Sequence, residues 1–480
     1  MPVQLAAELE RRGHQVSLVM PAHRSVREAK LNVAPWGDKL RIPIGNRMVE
    51  GQVLYVEWSP DDRKGRRLPL YLIDQPDYFD RPQLYGEGQT PYADNCERFV
   101  FFNRAALEFA SRLPKPPDVI HAMDWPTGLL PAYLEIEYRN LPTWEHTASV
   151  FTVPQLEDQG IFWHWDMLLT GLDWKYFNWK QMECYGYLNW LKTGLVFADH
   201  ITLPSQQAVR EVQDARFACG LEGVFQSRQA SLTGIPLGLN FQQWNPATDS
   251  YLAQKYTPAT SALGKAACKR QLQQQFSFAP NAAAAVVAVW LAPGDMASLA
   301  LLSETLQVWS PDKGLQWVIM GADNSQQSVL AKVTQQTPQV VQVLTELQDP
   351  IFRQTLAAAD LCLIPAAVEN GLPCQLYAFR YGALPVARAQ GSLADVVTEP
   401  NEETLASHQA NGFLFCEPKP ASLADALGRA LSLFRQQPTV WQQLVSHAMN
   451  LDTSWTHASH AYETLYQSAI QGRRLQTTHS

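Results

Sequence analysis

The sequence has little of what would assign it to several common classes of protein. Its 480 residues contain no apolar run near the roughly 18 residues that a membrane-spanning helix needs. Charged residues make up only 18 %, and the net charge is -8. These absences predict no nucleic-acid partner and no membrane partner. The N-terminal stretch "MPVQLAAELERRGHQV" is charged and amphipathic, unlike a signal peptide, so we expect a soluble, cytoplasmic protein.

Cysteine and histidine are present, but without the spacing that binds a metal or builds a disulfide framework. The seven cysteines are scattered, and no two of them form a C-x-x-C pair. This usage is typical of a reducing compartment. Of the eleven histidines, only His457 and His460 lie close together. We therefore predict neither a metal site nor a cofactor.

Short apolar segments alternate with helical ones along the chain. A helical face at Leu5, Ala6 and Leu9 is followed by the strand "HQVSLVMP". The same strand pattern, each time with a loop after it, recurs in "PDVIHAMDW", "ASVFTVP", "AAAAVVAVWL", "LQWVIMG" and "DLCLIP". Such alternation predicts an α/β protein with parallel sheets covered by helices on both faces. Ligands then bind at the carboxyl ends of the strands.

The length of 480 residues predicts two doubly wound domains. A polar stretch at "WNPATDSYLAQKYTPATS" is typical of a junction. We predict a first domain at 1–240, a second at 241–454 and a C-terminal helix at 455–480 that returns to the first. Because the chain opens on a helix, we expect the first domain to be truncated and to lack its central strand. Either the sequence starts too late or this domain is damaged.

An aromatic stretch runs from Phe162 to Trp190. Its tryptophans are Trp163, Trp165, Trp174, Trp179 and Trp190. Tryptophan faces can stack on sugars, but packing in a helical core is the interpretation that we favour.

Motifs from Tyr71 onward resemble one protein family in their order and spacing. They include "YLIDQPDYFDRPQLYG", "YADNCERFVFFNRAALE", "PDVIHAMDWPTGLLPAYL", "SVFTVPQLEDQGIF", "YGYLNWLKTGLVFADHIT", "QLYAFRYGALPVAR" and "SLADVV". Over nearly its whole length the chain is similar to bacterial glycogen synthases and plant starch synthases. The resemblance implies the GT-B fold, in which two Rossmann-like domains face a cleft. It also implies a retaining transfer of glucose from ADP-glucose to an α-1,4-glucan, without a metal.

The resemblance further implies where the site residues lie. Glu369, in the loop "ENGLPC", occupies the position of the essential carboxylate, so it is the catalytic candidate. Asp124, Gly238 and Gly391 are the candidates for substrate binding. From the residues alone, Glu369 can also be a solvated loop acid, and Asp124 can cap a helix as well as contact a sugar. Gly391 is better suited to a backbone turn than to holding a phosphate without cations.

Several positions depart from the family pattern. The family's lysine-glycine-glycine loop is absent, and Pro154 and Gln155 stand where the family has a histidine-asparagine pair. Trp290 and Asp295 stand where the family has the arginine and lysine that clamp the donor's diphosphate. Proline donates no hydrogen bond, and an anion in place of a cation turns attraction into repulsion.

These departures predict a glycogen synthase-like protein that is catalytically inactive or severely impaired. Its partners would be α-glucan (glycogen), weakly bound ADP-glucose or UDP-glucose, and an active glycogen synthase. Two alternatives stay open. One is a working glucosyltransferase with an altered donor site and a start site placed too late. The other is a decaying gene, whose product would fold poorly.

Overall fold

The chain forms two compact units in the computed structural model, which describes residues 2–59, 67–88, 90–308, 314–344, 348–365 and 373–478. Met1–Pro236 together with Ala458–Ser480 make up the first, here unit 1, and Leu237–His457 make up the second, unit 2. No helix in these described ranges is long and apolar enough to cross a membrane.

Unit 1 contains thirteen strands among its described residues. They are β1 (Leu18–Pro21), β2 (Ala34–Ile44), β3 (Arg47–Trp58), β4 (Leu68–Asp74), β5 (Gly86–Glu87), β6 (Thr90–Pro91), β7 (Val119–Met123), β8 (Ala148–Thr152), β9 (Ile161–Phe162), β10 (Glu183–Cys184), β11 (Tyr187–Asn189), β12 (His200–Leu203) and β13 (Leu232–Gly234).

The α-helices of unit 1 up to the junction are α1 (Pro2–Arg11), α2 (Arg24–Glu28), α3 (Pro76–Phe79), α4 (Asn95–Ser111), α5 (Leu129–Tyr133), α6 (Met167–Thr170), α7 (Trp190–Phe197), α8 (Gln206–Glu211) and α9 (Glu222–Ser227). Single 3-10 turns lie at Trp125–Thr127, His164–Asp166, Trp174–Tyr176 and Gln229–Ser231, and a π-helical turn lies at Leu134–Tyr138.

Two four-stranded sheets form the framework of unit 1. One has the order β1-β4-β3-β2, with β1 parallel to β4 and the other pairs antiparallel. The other has the order β13-β12-β8-β7 and is parallel throughout. Both β1 and β7 are therefore edge strands, and no strand in the described part of the chain pairs with their outer sides. The chain opens on α1, which buries Leu5, Ala6 and Leu9, as the helical pattern predicts.

Helix α4 supplies much of the core of unit 1. Phe99, Phe101 and Phe109 on this helix are almost fully buried. Arg98 is also fully buried, and its Nε donates to the Tyr78 carbonyl oxygen at 2.7 Å. Burial lowers the pKa of Arg98 to about 10, because a guanidinium without a paired carboxylate is poorly solvated there.

The C-terminal helix α19 (Trp455–Thr478) packs on unit 1. His121 on β7 bridges the contact: its Nδ1 lies 2.8 Å from the Tyr466 hydroxyl and its Nε2 lies 2.6 Å from Thr152 Oγ1. Burial lowers the pKa of His121 to about 3, so the ring is neutral at pH 7. A neutral imidazole can donate from one nitrogen and accept at the other, as these two hydroxyl neighbours allow.

Unit 2 has one six-stranded parallel sheet. Its strands are β14 (Ala285–Trp290), β15 (Leu315–Met320), β16 (Val341–Leu344), β17 (Leu361–Ile364), β18 (Leu384–Arg388) and β19 (Phe413–Phe415). Their order is β16-β15-β14-β17-β18-β19, so the first strand of this unit lies in the middle of the sheet. Strands β14 and β15 read "AVVAVW" and "LQWVIM" and are buried on both faces, as parallel strands between helical layers must be.

The α-helices of unit 2 are α10 (Ser261–Gln275), α11 (Met296–Val308), α12 (Asn324–Gln336), α13 (Asp349–Ala358), α14 (Cys374–Tyr381), α15 (Gly391–Val396), α16 (Glu402–Ala406), α17 (Pro420–Gln436) and α18 (Pro438–Asn450), with a 3-10 turn at Pro258–Thr260.

Two buried lysines of α10 fix that helix to the sheet. Lys265 Nζ donates to the carbonyl oxygens of Ala359 at 2.8 Å and Tyr381 at 2.9 Å. Lys269 forms a buried ion pair with Asp360 at 2.5 Å. Burial lowers the pKa of Lys265 to about 8. Both lysines lie in the stretch "GKAACKRQLQQQF", and these contacts give that stretch a structural role.

Candidate functional site

Asp124 lies directly after β7, at the carboxyl end of the parallel sheet of unit 1. Its carboxylate accepts a hydrogen bond from the Trp125 backbone N at 2.7 Å and caps the 3-10 turn that follows. Its φ of 67° and ψ of 167° fall in a region almost confined to glycine, which costs a residue such as aspartate about 1–3 kcal/mol. Asp124 therefore caps this turn, one of the two roles that the sequence allowed. A cap does not require so strained a backbone, so the conformation is compatible with a second role.

Burial also perturbs the ionisation of Asp124. The loss of hydration raises its pKa to about 6, outweighing the hydrogen bond from Trp125, and the nearby charge of Asp158 adds to the rise. Tyr85 has its pKa raised to about 12 by burial and by the charge of Asp124. A carboxyl group with a pKa near 6 can be present in either protonation state close to neutral pH.

Aromatic rings pack beside Asp124. The Trp125 ring lies 5.3 Å from Tyr85 and 5.9 Å from Phe162, centroid to centroid. Gly160 makes this packing feasible, because a Cβ there would lie 2.4 Å from Trp125 Cε3. The conformation around Asp124 is thus held by a close-packed aromatic layer.

The loop after β8 carries Pro154 and Gln155. Pro154 is exposed and has no N–H to offer a ligand. The loop is anchored by the buried Gln159, whose Nε2 donates to the Cys219 carbonyl at 3.0 Å and whose Oε1 accepts from Asn189 Nδ2 at 2.7 Å. It is therefore well fixed, while the position that the resemblance assigns to a histidine carries no hydrogen-bond donor.

Trp290 ends β14 in unit 2. Its ring packs edge-on against Phe352 at 5.9 Å, and it is only partly buried. The side chain is an apolar group at the carboxyl end of the central strand, where the resemblance places an arginine. A diphosphate at this strand end would meet an indole instead of a guanidinium.

Asp295 precedes α11 and caps it. Its Oδ1 accepts a hydrogen bond from the Ser298 backbone N at 2.9 Å. The N-terminus of a helix attracts anions through its free amides and its dipole. Here the chain's own carboxylate occupies that place, so a phosphate would have to displace one anion to bind at this helix end.

A second carboxylate, which the sequence analysis did not single out, lies after β15. Asp323 Oδ1 accepts from the backbone N of Gln326 at 2.9 Å at the start of α12, and its Oδ2 accepts from the backbone N of Gly294 at 2.7 Å. A hydrogen bond from the Ser325 hydroxyl to Oδ1 at 2.6 Å, together with these two backbone bonds, holds the pKa of Asp323 below its usual range. The stretch "GADNSQQ" carries the pattern that would have revealed the cap, an aspartate directly after a strand and before a helix.

Gly391 begins α15, three residues after Arg388, the last residue of β18. Its φ is 56°, a conformation that glycine adopts without strain. Arg388 places a cation at the same end of the sheet. The positive φ is sufficient to explain a glycine at position 391. The contact of Gly391 with substrate stays a prediction.

Gly238 lies where two backbone segments of unit 2 meet. A Cβ at this position would be 2.5 Å from the Trp455 Cα. The neighbouring Leu239 donates its backbone N to the Thr453 carbonyl at 2.8 Å and accepts from the Trp455 backbone N at 3.2 Å. Close backbone approach accounts for the glycine, and no substrate contact is needed to explain it.

Glu369, the predicted catalytic carboxylate, lies outside the described residues. Helix α14, which follows its loop, begins at Cys374 and is largely buried. In the described ranges, no group of three or more histidine, cysteine or acidic side chains is arranged to hold a metal ion.

The aromatic stretch differs from the packing that we favoured in the sequence. Trp190 is fully buried, as predicted. Trp163, Trp165, Trp174 and Trp179 are all exposed, so the packing prediction is wrong for these four. The reason is that residues 161–189 form short turns, one four-residue helix and strands of two or three residues, which cannot cover a large side chain on all sides.

Comparison with known proteins places the chain in a family. The starch synthase catalytic domain family matches residues 2–227. A glycogen synthase of Syntrophotalea carbinolica is 35 % identical over 97 % of this chain and 94 % of its own length. Glycogen synthase 2 of Geobacter metallireducens is 32 % identical over 98 % of this chain and 95 % of its own.

A solved structure shows the same fold. The catalytic domain of starch synthase IV from Arabidopsis thaliana, bound to ADP and acarbose, superimposes with a TM-score of 0.86 at 24 % identity, covering 98 % of this chain and 95 % of that one. The fold is that of a GT-B glycosyltransferase, and the predicted fold class is confirmed. The chain belongs to the glycogen and starch synthase family, as its motifs predicted.

Proposed function

We propose that this chain is a glycogen synthase-like protein that binds α-glucan but does not transfer glucose at a synthase-like rate. The observation that carries the proposal is the pair of carboxylates, Asp295 and Asp323, which follow the neighbouring strands β14 and β15 of unit 2. Both engage backbone amides that a diphosphate would otherwise use. ADP-glucose or UDP-glucose would bind weakly for this reason.

The electrostatic argument gives the size of the effect. Two like charges about 4 Å apart at an effective dielectric of 20 repel by roughly 4 kcal/mol. Trp290 adds a second loss, since each charge-assisted hydrogen bond that an arginine would make is worth about 1.5–3 kcal/mol. Pro154 removes a donor on the unit 1 side as well. The combined loss of about 5 kcal/mol or more would slow transfer a few thousandfold.

Unit 1 supports retained recognition of glucan. Its strand ends carry Asp124 with a raised pKa and a loop anchored at Gln159. The buried Trp125 ring supports both from beneath, and a carboxylate can accept hydrogen bonds from sugar hydroxyls. On this proposal the chain binds glycogen, alone or beside an active glycogen synthase.

A second candidate function is that of a working transferase with an altered donor site. Arg388 favours it, because it supplies a cation at the carboxyl end of the unit 2 sheet. In that case Arg388 would take over part of the diphosphate neutralisation, and Glu369 would keep a catalytic role.

The test is incorporation of labelled glucose from ADP-glucose and from UDP-glucose into glycogen. Parent protein and Glu369→Ala are compared, together with calorimetric titration of each nucleotide sugar. We expect both proteins to stay at background while the parent still sediments with glycogen. Turnover near about 1 per second in the parent, lost in Glu369→Ala or in Arg388→Ala, would establish the transferase instead.

A gain-of-binding variant sharpens this test. Trp290→Arg combined with Asp295→Lys restores the charges of the family clamp, and we expect it to tighten binding of ADP at least about tenfold. The matched control is Glu304→Lys, which makes the same change of charge as Asp295→Lys at an exposed position further along α11. If Glu304→Lys tightened ADP binding equally, the effect would be one of net charge. That result would contradict a specific role for positions 290 and 295.

A further inference from the structure

A polar cavity of about 290 Å³ opens on unit 1, at the amino ends of strands β12 and β13. Four charged side chains line it: Glu135, Asp199, Arg228 and Arg473. Asp199 directly precedes β12, whereas Asp124 follows β7, and the strands of this sheet are parallel. The cavity and Asp124 therefore lie at opposite edges of the sheet, so the cavity is separate from the candidate site described above.

Both carboxylates of the cavity are already engaged by the chain itself. Asp199 Oδ1 accepts from Arg473 Nη2, and its Oδ2 accepts from the Ser149 backbone N at 2.7 Å. Glu135 Oε2 accepts from Arg139 Nε at 3.0 Å and from Arg473 Nη2 at 3.1 Å. The two acids are thus matched by two guanidiniums, those of Arg139 and Arg473.

Arg228 brings a third guanidinium to the cavity, and its partners are carbonyl groups. It donates to the carbonyl oxygens at the end of α7, those of Val196 at 3.2 Å, of Ala198, and of Asp199 at 3.3 Å. A guanidinium has five N–H donors, so two of those of Arg228 remain. In the described part of the chain, no carboxylate oxygen accepts a hydrogen bond from Arg228, and its buried Nε has no acceptor. Three guanidiniums therefore meet two carboxylates.

Burial makes this excess of positive charge costly. It lowers the pKa of Arg228 and that of Arg139, which the charge of Arg473 lowers further. Arg139 Nη2 is buried, lies 3.9 Å from Asp199 Oδ2 and has no hydrogen-bond acceptor among the described residues. An anion in the cavity would stabilise all three cations. A network that only held the fold together would need neither an excess cation nor an open cavity beside it.

The size of the cavity selects a small ligand. Its volume lies just below about 300 Å³, where the usual range of ligand pockets begins, and equals that of about ten molecules of liquid water. A phosphate group with a short carbon chain has room in such a space. A polymer would have to lie across its opening.

The donors around the cavity come from three separate elements. Arg228 follows α9, Ser231 lies in the 3-10 turn before β13, and Arg473 lies on α19. A phosphate group presents three acceptor oxygens in different directions, whereas a carboxylate presents two oxygens in one plane. Arginine binds phosphate through charge-assisted hydrogen bonds, often two at a time. Donors that converge from several elements therefore suit a phosphate.

We propose that this cavity binds a small phosphate monoester, with its phosphate group on Arg228 and Arg473 and a hydroxyl group of its carbon chain on Glu135. This inference goes beyond the proposed function, because it requires neither a glucan nor a nucleotide sugar. Arg473 belongs to α19, which packs on unit 1. A bound ligand would therefore link that helix to the strand ends and stabilise unit 1.

The experiment is calorimetric titration of glycerol 3-phosphate into the full chain, in a phosphate-free buffer at constant ionic strength. We expect one saturable site with a Kd below about 1 mM. Glycerate carries a carboxylate in place of the phosphate and should bind at least about tenfold more weakly. Equal affinity for glycerate would overturn the assignment to phosphate, and no saturable binding up to about 10 mM would overturn the site.

Inorganic phosphate tests the part of the ligand beyond the phosphate group. It has no carbon chain and no hydroxyl group for Glu135, so we expect it to compete with glycerol 3-phosphate at lower affinity. Equal affinity would overturn the contact with Glu135 and with it the assignment to a monoester.

The variant Arg228→Gln locates the site. Glutamine removes the charge and keeps an amide that can donate to the end of α7, and we expect glycerol 3-phosphate to bind at least about tenfold more weakly. The matched control is Arg216→Gln, the same change of charge at an exposed position of unit 1, where Arg216 pairs with Asp214. Unchanged affinity in Arg228→Gln, or equal weakening by Arg216→Gln, would overturn the proposal.

Hydrogen exchange of the parent keeps the proposal testable even if Arg228→Gln fails to fold. Glycerol 3-phosphate should slow amide exchange in segments 196–200 and 228–232 and in α19, and it should raise the melting temperature as its concentration rises. Protection confined to unit 2, for example around Asp295, would overturn the proposal. Glucose transfer by the parent would refute the proposed function and leave this binding intact.

Discussion

Replacing Asp124 by asparagine should make unit 1 more stable at neutral pH. Asparagine keeps an oxygen to accept the hydrogen bond from the Trp125 backbone N, it is as good a cap as aspartate, and it carries the same backbone strain at this position. What it removes is a partly buried charge. The change therefore isolates the desolvation of the carboxylate from its capping role.

The magnitude follows from the pKa of Asp124, which burial raises from 3.8 to about 6. An acid with a raised pKa binds more protons in the folded state than in the unfolded state, so folding loses stability as the pH rises from about 4 to 6. At about 1.36 kcal/mol per pH unit of difference, the penalty is about 3 kcal/mol at pH 7.5 and about 1 kcal/mol at pH 4.5. We expect Asp124→Asn to recover these amounts.

The assay is urea unfolding at 25 °C, followed by tryptophan fluorescence at pH 4.5, 6 and 7.5. Asp173→Asn is the matched control, because Asp173 accepts from the Lys175 backbone N at 2.8 Å and caps a similar turn from an exposed position. Its stability should change little at any of these pH values. A gain in Asp124→Asn that is the same at all three pH values, or a loss, would refute the desolvation argument.

Three further outcomes are expected. Gly238→Ala should destabilise unit 2 by about 3 kcal/mol or more in thermal unfolding, because the new Cβ would lie 2.5 Å from Trp455 Cα. Its control is Gly428→Ala, in open space within α17, which should be neutral or stabilising by up to about 1 kcal/mol. Lys265→Met should cost about 3–5 kcal/mol, since it strands backbone carbonyls that the buried ammonium satisfies; an unchanged melting temperature would contradict this. Because the pKa of His121 is lowered to about 3, protonation favours the unfolded chain, and the free energy of unfolding should fall as the pH drops below about 6.5. His121→Gln should make this dependence on pH weaker in acid unfolding.

The sequence predicted the fold class because the relevant patterns are local. The run "AAAAVVAVWL" is apolar on both faces and too short for a typical helix, so it indicates a buried parallel strand wherever it is placed. The separation of unit 1 into two sheets was harder to predict in detail. Strands β2 and β3 pair antiparallel through a hairpin at Gly45, and β4 pairs antiparallel with β3. Nothing in the alternation of apolar segments distinguishes these pairings from parallel ones.

The site was only partly predictable for a related reason. That Asp124 follows a strand is visible in "HAMDWPTG", but its raised pKa arises from burial in the folded chain, with a contribution from the charge of Asp158, which is distant in sequence. The exposure of Trp179 was missed because a tryptophan in an apolar stretch is usually buried. Only the tertiary structure shows that Lys192 fixes the Trp179 carbonyl and leaves the ring outside.

The distribution of strain between the two units favours retained recognition over retained transfer. In unit 2, the amides at the starts of α11 and α12 are satisfied by Asp295 and Asp323, so these strand ends are complete without an anionic ligand. In unit 1, Asp124 holds a backbone conformation almost confined to glycine and a desolvated carboxylate, both of which cost stability. Costs that the fold itself does not require are expected where a ligand is bound. The Asp124 region of unit 1 is therefore a better candidate for a retained binding site than these strand ends of unit 2.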